Sequence, residues 1–243
     1  MTSSVTVEVR ERLTVISLSR PDKANALSGA MADGVRAAIA QAAADGARAL
    51  VLRGEGRHFC AGFDFGDFES LTDGDLALRF LQVEEMLQAV FHAPMPTLAL
   101  VQGRAVGAGA DLAAAAMRVV AAPGARFQMP GPRFGVVLGT RRLAYRIGGV
   151  AARQIQIENR PVAAEEGVAL GLVDALAAAE EWDAVTERFA DAYTQLNADV
   201  TAALAEVTRP DTRDADMAAL ARSVAIPGIK ERIATFRAAS ARR

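Results

Sequence analysis

Residues 101–112 of the chain read VQGRAVGAGADL, with glycines between a short apolar run and the start of a helical pattern. An earlier stretch, GEGRHFCAGFD at residues 54–64, follows the apolar run 49–52 in the same way. Small residues let the backbone approach a ligand closely. An amide at the start of a helix also lies at the positive end of the helix dipole. The two segments together predict a pair of backbone amides that hold a carbonyl oxygen as it becomes negative.

Other glycine motifs fit these segments poorly. A dinucleotide fingerprint would need a third glycine, whereas Gly107 and Gly109 are followed at that place by Leu112. The sequence contains no phosphate loop with a Gly-Lys-Ser/Thr ending and no Gly-x-Ser-x-Gly elbow. Dinucleotide binding, nucleotide hydrolysis and serine hydrolysis therefore have no support.

Strands and helices alternate in the first part of the chain, and helices dominate after residue 139. Strands are predicted at residues 5–9, 13–18, 49–52, 97–101 and 118–121, and helices at 28–44, 73–90 and 108–115. Further helices are predicted at residues 141–147, 151–157, 163–170, 182–196, 200–207, 217–223 and 228–239. This order predicts an α/β core over residues 1–178 and a helical C-terminal region over residues 179–243.

Length and composition indicate a globular protein. The 243 residues fit one large domain or one domain with an appendage, and 51% of them are hydrophobic. The formal charge of -2 gives no electrostatic reason to expect nucleic acid or an anionic membrane as a partner. One cysteine and two histidines cannot supply a usual structural zinc site, so we expect no metal. The lack of a secretory signal and of a membrane span, together with the single cysteine, predicts a soluble, cytoplasmic protein.

Six motifs in order along the chain resemble those of the crotonase (enoyl-CoA hydratase/isomerase) superfamily. Residues 20–27 are similar to its RPxxxNAL opening, and residues 59–64 to its FxAGxD loop. The later matches are residues 107–111 to its GGGxE turn, 127–135 to FxxPExxxG, 139–148 to GGTQRL…G, and 169–173 to AxxxGLV.

The resemblance implies a spiral core of ββα repeats and a helical C-terminal region that assembles a homotrimer or a dimer of trimers. It also implies an acyl-CoA thioester ligand, with coenzyme A as part of the substrate and no separate cofactor, and a place in fatty acid metabolism. The oxyanion amides fall on Phe63 and Ala108. The implied substrate- and CoA-binding residues are Lys23, Ala24, Ala26, Cys60, Ala61, Gly62, Phe63, Asp64, Gly107, Ala108 and Gly131.

Some of these positions have an equally simple structural explanation. Lys23 or Arg20 would lie near the CoA phosphates, but a solvated turn lysine explains Lys23 as well. Asp64 is expected to hold its own loop through backbone hydrogen bonds rather than to touch substrate. The tail residues Ile229, Ile233 and Phe236 share one helix face and are predicted to pack across subunits.

The sequence departs from the family where the hydratases carry two glutamates that bind and activate water. The first position is Asp111, one methylene shorter than glutamate, and the second is Gly131, which has no side chain. An ordinary first-turn aspartate stabilised by the helix dipole is the alternative for Asp111. The run between Gly135 and Thr140 is also shorter than the family's, which predicts a remodelled wall. Arg133, Asp67, Glu69 and Glu158 are further charged candidates without a supporting motif.

Three hypotheses follow. In the first, Asp111 is the single acid/base of an acyl-CoA enzyme of the isomerase type, which needs no bound water. In the second, the protein is a hydratase, and thus a lyase, in which another group or an ordered water beside Gly131 replaces the missing glutamate. In the third, it binds acyl-CoA but has lost the chemistry.

Overall fold

A computed structural model of the protein describes residues 4–241, with the side chains of residues 194 and 241 excepted. The two predicted regions, 1–178 and 179–243, therefore extend past the described residues at 1–3 and 242–243. Within the described part of the chain, no helix combines the length and apolar character needed to cross a membrane. No group of three or more potential metal-ligating His, Cys, Asp or Glu side chains occurs there either.

Nine strands and ten α-helices make up the described chain. The strands are β1 (Val5–Arg10), β2 (Leu13–Leu18), β3 (Ala49–Gly54), β4 (Thr97–Val101), β5 (Arg104–Val106), β6 (Arg118–Ala121), β7 (Arg126–Gln128), β8 (Val162–Ala163) and β9 (Ala175–Leu176). The helices are α1 (Gly29–Ala44), α2 (Asp73–Phe91), α3 (Ala108–Ala115), α4 (Thr140–Ile147), α5 (Gly149–Glu158), α6 (Ala164–Leu170), α7 (Trp182–Thr194), α8 (Ala198–Thr208), α9 (Arg213–Val224) and α10 (Ile229–Ala241).

A six-stranded sheet in the order β1-β2-β3-β4-β6-β9 forms the centre of the fold. Only β1 is antiparallel to its neighbour, and the other pairs are parallel. The parallel strands β2 and β4 are buried along their whole length, as expected of a sheet covered on both faces. The predicted α/β class with helices at the C-terminal end is confirmed.

A second sheet of three short strands, in the order β5-β7-β8, was not predicted from the sequence. Strand β5 occupies part of the segment that the sequence indicated only as a glycine-rich turn. Each strand has two or three residues, too few to show the alternation of apolar and polar side chains that identifies a strand. This sheet is adjacent to the start of α3 and helps to place that helix.

Helix α10 packs against the core of its own chain. Ile229 and Ile233 are 1% and 0% exposed in the single protomer, within the same apolar cluster as the central sheet. Arg232 fixes the helix by donating to the carbonyl oxygen of Phe134 at 3.0 Å. The prediction that this face packs across subunits is therefore wrong for these two isoleucines, since both are already buried in the core of their own protomer.

Candidate active site

The two glycine-containing segments are joined by backbone hydrogen bonds. Cys60 donates its amide to the Arg104 carbonyl at 3.1 Å, and Val106 donates to the Cys60 carbonyl at 2.9 Å. Strand β5, which the sequence did not reveal, is the partner in this ladder. The ladder carries the residues after Cys60 alongside the start of α3, so the two segments predicted to share a site lie together.

Two backbone amides at this junction are free to donate. Within residues 4–241, the N–H groups of Phe63 and Ala108 have no protein acceptor. Ala108 is the first residue of α3, where an amide has no partner inside the helix. A methyl carbon placed on Gly62 would lie 3.3 Å from the Ala108 nitrogen, which shows how closely the two segments approach. The junction thus has the composition of an oxyanion hole.

Glycine is required at two positions of this junction. Gly107, at the N-cap of α3, has φ +53° and ψ −125°, a backbone conformation that favours glycine. A methyl carbon on Gly109 would lie 2.8 Å from the Cys60 Cβ and closer still to the Cys60 carbonyl oxygen. The close approach of α3 to the 60–64 loop therefore depends on glycine at both positions.

An apolar cavity of about 140 Å³ opens beside the amides. The Phe63 ring packs against the rings of Phe80 and Phe65 at centroid distances of 4.2 and 4.9 Å. The cavity is lined by Ala61, Phe63, Phe65, Phe80, Val106, Gly107, Ala108, Asp111, Met129, Pro130, Gly131, Pro132, Phe134, Val136, Leu138, Gln156 and Phe236.

Asp111 is the one carboxyl group among the described residues that line this cavity. It is 3% exposed, and its Oδ1 has no hydrogen-bond partner within the described chain. Burial raises the pKa of Asp111 to about 8, although the Arg142 guanidinium acts in the opposite direction. A carboxyl that titrates near neutral pH can both accept and return a proton. Asp111, in the first turn of α3, therefore has a pKa that suits a general acid/base near neutral pH.

Gly139 makes room for the Asp111 carboxyl. A methyl carbon on Gly139 would lie 2.7 Å from the Asp111 Cβ and closer to its carboxyl group, and Gly139 has φ +65°. The first turn of α4 carries Arg142, which is fully buried and donates to Glu84 of α2 at 3.0 Å and to Asp216 of α9 at 3.2 Å. This buried network fixes α4 behind Asp111.

Gly131 also lines the cavity, in a 3-10 turn over Gly131–Phe134. Its carbonyl accepts a hydrogen bond from Val136 at 3.0 Å, which closes the turn. A methyl carbon on Gly131 would lie 2.9 Å from the Val136 carbonyl oxygen. The second carboxylate of the hydratases is thus absent, and the turn has no room for a side chain unless the backbone shifts.

The remaining predicted binding residues differ in exposure. Ala61 is exposed and lines the cavity, Ala24 is half-buried, and Gly62 and Ala26 are buried. Lys23 is exposed on the turn that begins the chain's RPxxxNAL-like segment. Ala61 donates its amide to the Ala24 carbonyl at 2.8 Å, which joins that turn to the loop.

Cys60, Arg20 and Asp64 are engaged in the protein's own structure. The Cys60 thiol is fully buried, contacts the Asn25 carbonyl at 3.1 Å, and has a pKa that burial raises to about 12. Asp64 accepts from the Gly66 amide at 2.8 Å and pairs with Arg20 at 2.7 Å. These groups support the loop, and Cys60 does not line the cavity.

The four charged candidates without a motif lie outside the cavity. Asp67 pairs with Arg79, and Glu69 is exposed. Arg133 donates to the Glu158 carbonyl at 3.0 Å, and both line an outer groove of about 590 Å³ between the Gly131 turn, α5 and α10.

Several cavity residues were not found by sequence reasoning. Gln156 of α5 and Phe236 of α10 come from helices whose apolar and polar periodicity gave no sign that they face a site. Phe80 lies in the predicted α2 but resembles any core aromatic. Asn25 was also missed as a structural residue: it is fully buried, and its Nδ2 donates to the carbonyls of Glu55 and His58, both at 2.9 Å.

Comparison with known proteins identifies the family of the chain. The sequence model of the family described as enoyl-CoA hydratase/isomerase matches residues 8–227. The chain therefore belongs to the enoyl-CoA hydratase/isomerase family, whose fold and loop motifs it shares.

One curated relative and two solved structures are similar to the chain over most of their length. It is 38% identical over 190 residues to a Rhodobacter capsulatus protein named "Probable enoyl-CoA hydratase", covering 76% of this chain and 69% of that protein. The crystal structure of a Bordetella parapertussis protein named "putative enoyl-CoA hydratase/isomerase" superposes on the chain with a TM-score of 0.96. The two sequences are 42% identical, and the match covers 98% of this chain and 99% of that one. An enoyl-CoA hydratase/isomerase from Xanthobacter autotrophicus Py2 has a TM-score of 0.87 at 26% identity, covering 99% and 94% of the two chains.

Proposed function

We propose that this protein acts on acyl-CoA thioesters and stabilises a thioester enolate. The thioester oxygen would accept hydrogen bonds from the amides of Phe63 and Ala108, while the acyl group enters the apolar cavity. The observation that carries the proposal is the pair of unpartnered amides beside a buried carboxyl, Asp111. The names of the relatives support the same substrate class. Coenzyme A is part of the substrate, and no separate cofactor is needed.

We further propose that Asp111 is the single acid/base, in a double-bond isomerisation. The Asp111 carboxylate removes a proton from the α-carbon of a 3-enoyl thioester, and the electron pair moves onto the thioester oxygen between the two amides. The protonated Asp111 then returns the proton to the γ-carbon, and the product is the 2-enoyl thioester. No water takes part, so the reaction does not need the side chain that Gly131 lacks.

Two other functions are alternatives. Hydration would require another group, or an ordered water beside Gly131, to deliver water to the β-carbon, because Gly131 has no side chain. A protein that binds acyl-CoA without chemistry would use the same amides and cavity. Hydration would add water to a bound thioester, whereas binding without chemistry would leave it unchanged.

A mass-spectrometric assay in heavy water distinguishes these functions. The purified protein is incubated separately with crotonyl-CoA and with a 3-enoyl-CoA, and the products are weighed. We expect the 3-enoyl substrate to convert to the 2-enoyl isomer, identified by its chromatographic retention, without addition of water to crotonyl-CoA. Deuterium enters the product only where the proton held by Asp111 exchanges with solvent before it is returned. Addition of a water mass would establish hydration instead. Binding of both thioesters with no change in either would favour the non-catalytic protein.

A further inference from the structure

A network of buried charges lies behind the part of the cavity wall that carries Asp111. Its centre is Arg142 of α4, which is 1% exposed and pairs with two carboxylates, Glu84 of α2 at 1% exposure and Asp216 of α9 at 7%. Charged groups buried to this degree are costly unless they are paired. The network joins three helices, and charges within it also act on the proposed acid/base.

Arg142 divides its donors between the two carboxylates. Its Nη1 donates to Glu84 at 3.0 Å and to Asp216 at 3.2 Å, and its Nη2 donates to the other carboxylate oxygen of Glu84. Its Nε–H, in contrast, is buried and has no partner within the described chain. The Oδ1 of Asp111 is also buried without a partner there. A free cationic donor and a free carboxyl oxygen thus belong to groups whose charges interact.

Other donors hold the two carboxylates of the network. Glu84 accepts from Nε2 of Gln88 at 2.9 Å, and Asp216 accepts from Thr212 at 2.6 Å and from Arg141 at 3.0 Å. These bonds fix the carboxylates, which in turn fix the direction in which the guanidinium of α4 donates.

The remaining elements that contact α3 add no competing charge. Helix α3 packs against α2, α4, β4 and β5. Among the described residues, β4 has no titratable side chain, and the one on β5, Arg104, is exposed. The Cys60 thiol, which packs against α3, has a pKa of about 12 and stays neutral. Burial raises the pKa of Asp111 most, and among charged groups Arg142 of α4 lowers that pKa while Glu84 of α2 raises it.

An aspartate that forms an ion pair with an arginine is stabilised in its charged form and is a weak base. The proposed isomerisation needs the opposite, because Asp111 takes a proton from the α-carbon and returns it to the γ-carbon. We propose that Glu84 is a positioning residue for this acid/base: by binding the Arg142 guanidinium, it keeps Arg142 from forming an ion pair with Asp111. This inference rests on the proposed function, because the role exists only in a reaction that Asp111 carries out.

The test is the pH profile of kcat/KM for isomerisation of a short 3-enoyl-CoA, which reports ionisation of the free protein. In the parent protein, activity should rise with pH to a plateau above about pH 8, where Asp111 is ionised. Glu84→Gln keeps the shape of the side chain and removes its charge, so Arg142 can pair with Asp111. We expect the rise to move to lower pH by about one to three pH units, the usual effect of an arginine beside an aspartate. The plateau should fall, because the base is weaker.

Two further variants separate this effect from a loosened fold. Glu85→Gln is the matched control, because Glu85 is the next residue of α2, is exposed and pairs with Arg36. It should leave the profile in place. Glu84→Gln combined with Arg142→Met removes both charges, and removing a buried pair together is better tolerated than removing one partner. In this double variant the rise should return to the pH seen in the parent protein or lie above it.

Carbon-13 NMR of the Asp111 carboxyl provides a readout that does not need turnover, with Asp111→Asn identifying the signal. A pH profile and a carboxyl titration that both stay in place in folded Glu84→Gln would overturn the proposal and leave Glu84 a structural role. An equal shift in the double variant would also overturn it, since no arginine is then present at position 142.

If Glu84→Gln does not fold, the double variant decides. A carboxyl titration below that of the parent protein would overturn the proposal, and one at or above it would support the proposal. Lack of isomerisation by the parent protein, together with the expected NMR shift in Glu84→Gln, would overturn the proposed function instead, because Glu84 would then withhold Arg142 from a carboxyl that does no chemistry.

Discussion

The two walls of the cavity are built on different principles. The amide wall, residues 60–64 and 107–111, consists of backbone held by strand-like hydrogen bonds and by glycines in close contact. The turn wall, residues 131–139, is a 3-10 turn followed by a short run, and it contributes no carboxyl group. Oxyanion stabilisation depends on backbone N–H groups, whereas water activation depends on side chains. The first function can therefore persist on this fold while the second is lost.

The largest expected effect is on turnover after replacement of Asp111, the carboxyl group of the amide wall. Asp111→Asn keeps the size of the side chain and removes its ability to take a proton. If Asp111 is the acid/base, kcat for isomerisation of a 3-enoyl-CoA should fall by roughly 10²–10⁴-fold, the usual contribution of such a group. The thioester Kd, measured by calorimetry, should stay within a few-fold because the two amides remain. Unchanged turnover would show that Asp111 is only a first-turn aspartate.

The two walls should also differ in how they tolerate a methyl group. Gly109→Ala forces a carbon against the Cys60 backbone between two fixed segments. We expect the free energy of unfolding, measured in urea, to fall by about 2–3 kcal/mol. In Gly131→Ala the added methyl group meets one carbonyl oxygen, in a turn whose neighbours Pro132 and Arg133 are exposed. We therefore expect the free energy of unfolding to fall by only about 1 kcal/mol.

Gly149→Ala is the control for these two variants. A methyl carbon there has no neighbour within 4 Å, and alanine favours a helix over glycine. This variant should be neutral or slightly stabilising. A Gly131→Ala cost as large as that of Gly109→Ala would remove the distinction between a rigid and an adaptable wall.

The same contrast explains what could be predicted from the sequence. The amide wall contains residues, such as Gly107 and Gly109, whose role depends on local backbone geometry, so the pattern indicated one amide in each segment. The family resemblance assigned these amides to Phe63 and Ala108. Phe236 and Gln156 reach the cavity only because α10 and α5 pack back over it. Such contacts depend on tertiary packing, and no periodicity within either helix distinguishes a cavity-facing side chain from a core side chain.

The burial of Asp111 predicts a stability that depends on pH. Its pKa is raised to about 8 in the folded protein, against 3.8 when it is solvated, so the folded state binds the extra proton between these values. The free energy of unfolding contributed by this group is then greatest below about pH 4 and decreases as pH rises to about 8, by at most ~1.4 kcal/mol per pH unit.

Asp111→Asn removes this titration and provides the comparison. Urea unfolding of both proteins from pH 5 to pH 8.5 should show the variant gaining stability relative to the parent protein as pH rises, with no further gain above about pH 8. A difference that stays constant over this range would mean that the Asp111 carboxyl is already ionised in the fold and is held by Arg142.

The smallest expected effect concerns the aromatic pair that closes the cavity. Phe134 and Phe236 have ring centroids 5.2 Å apart, and both residues line the inner cavity as well as the outer groove of about 590 Å³. Phe236→Ala should open one space into the other and let a longer acyl chain pass. Each additional buried methylene is worth ~0.8 kcal/mol, so kcat/KM for a six-carbon relative to a four-carbon thioester should rise at least about fourfold. Thr235→Ala, on the same helix but lining only the groove, should leave the ratio unchanged. A ratio that does not move in Phe236→Ala would mean that the acyl chain ends before it reaches the aromatic pair, and that the turn wall limits its length.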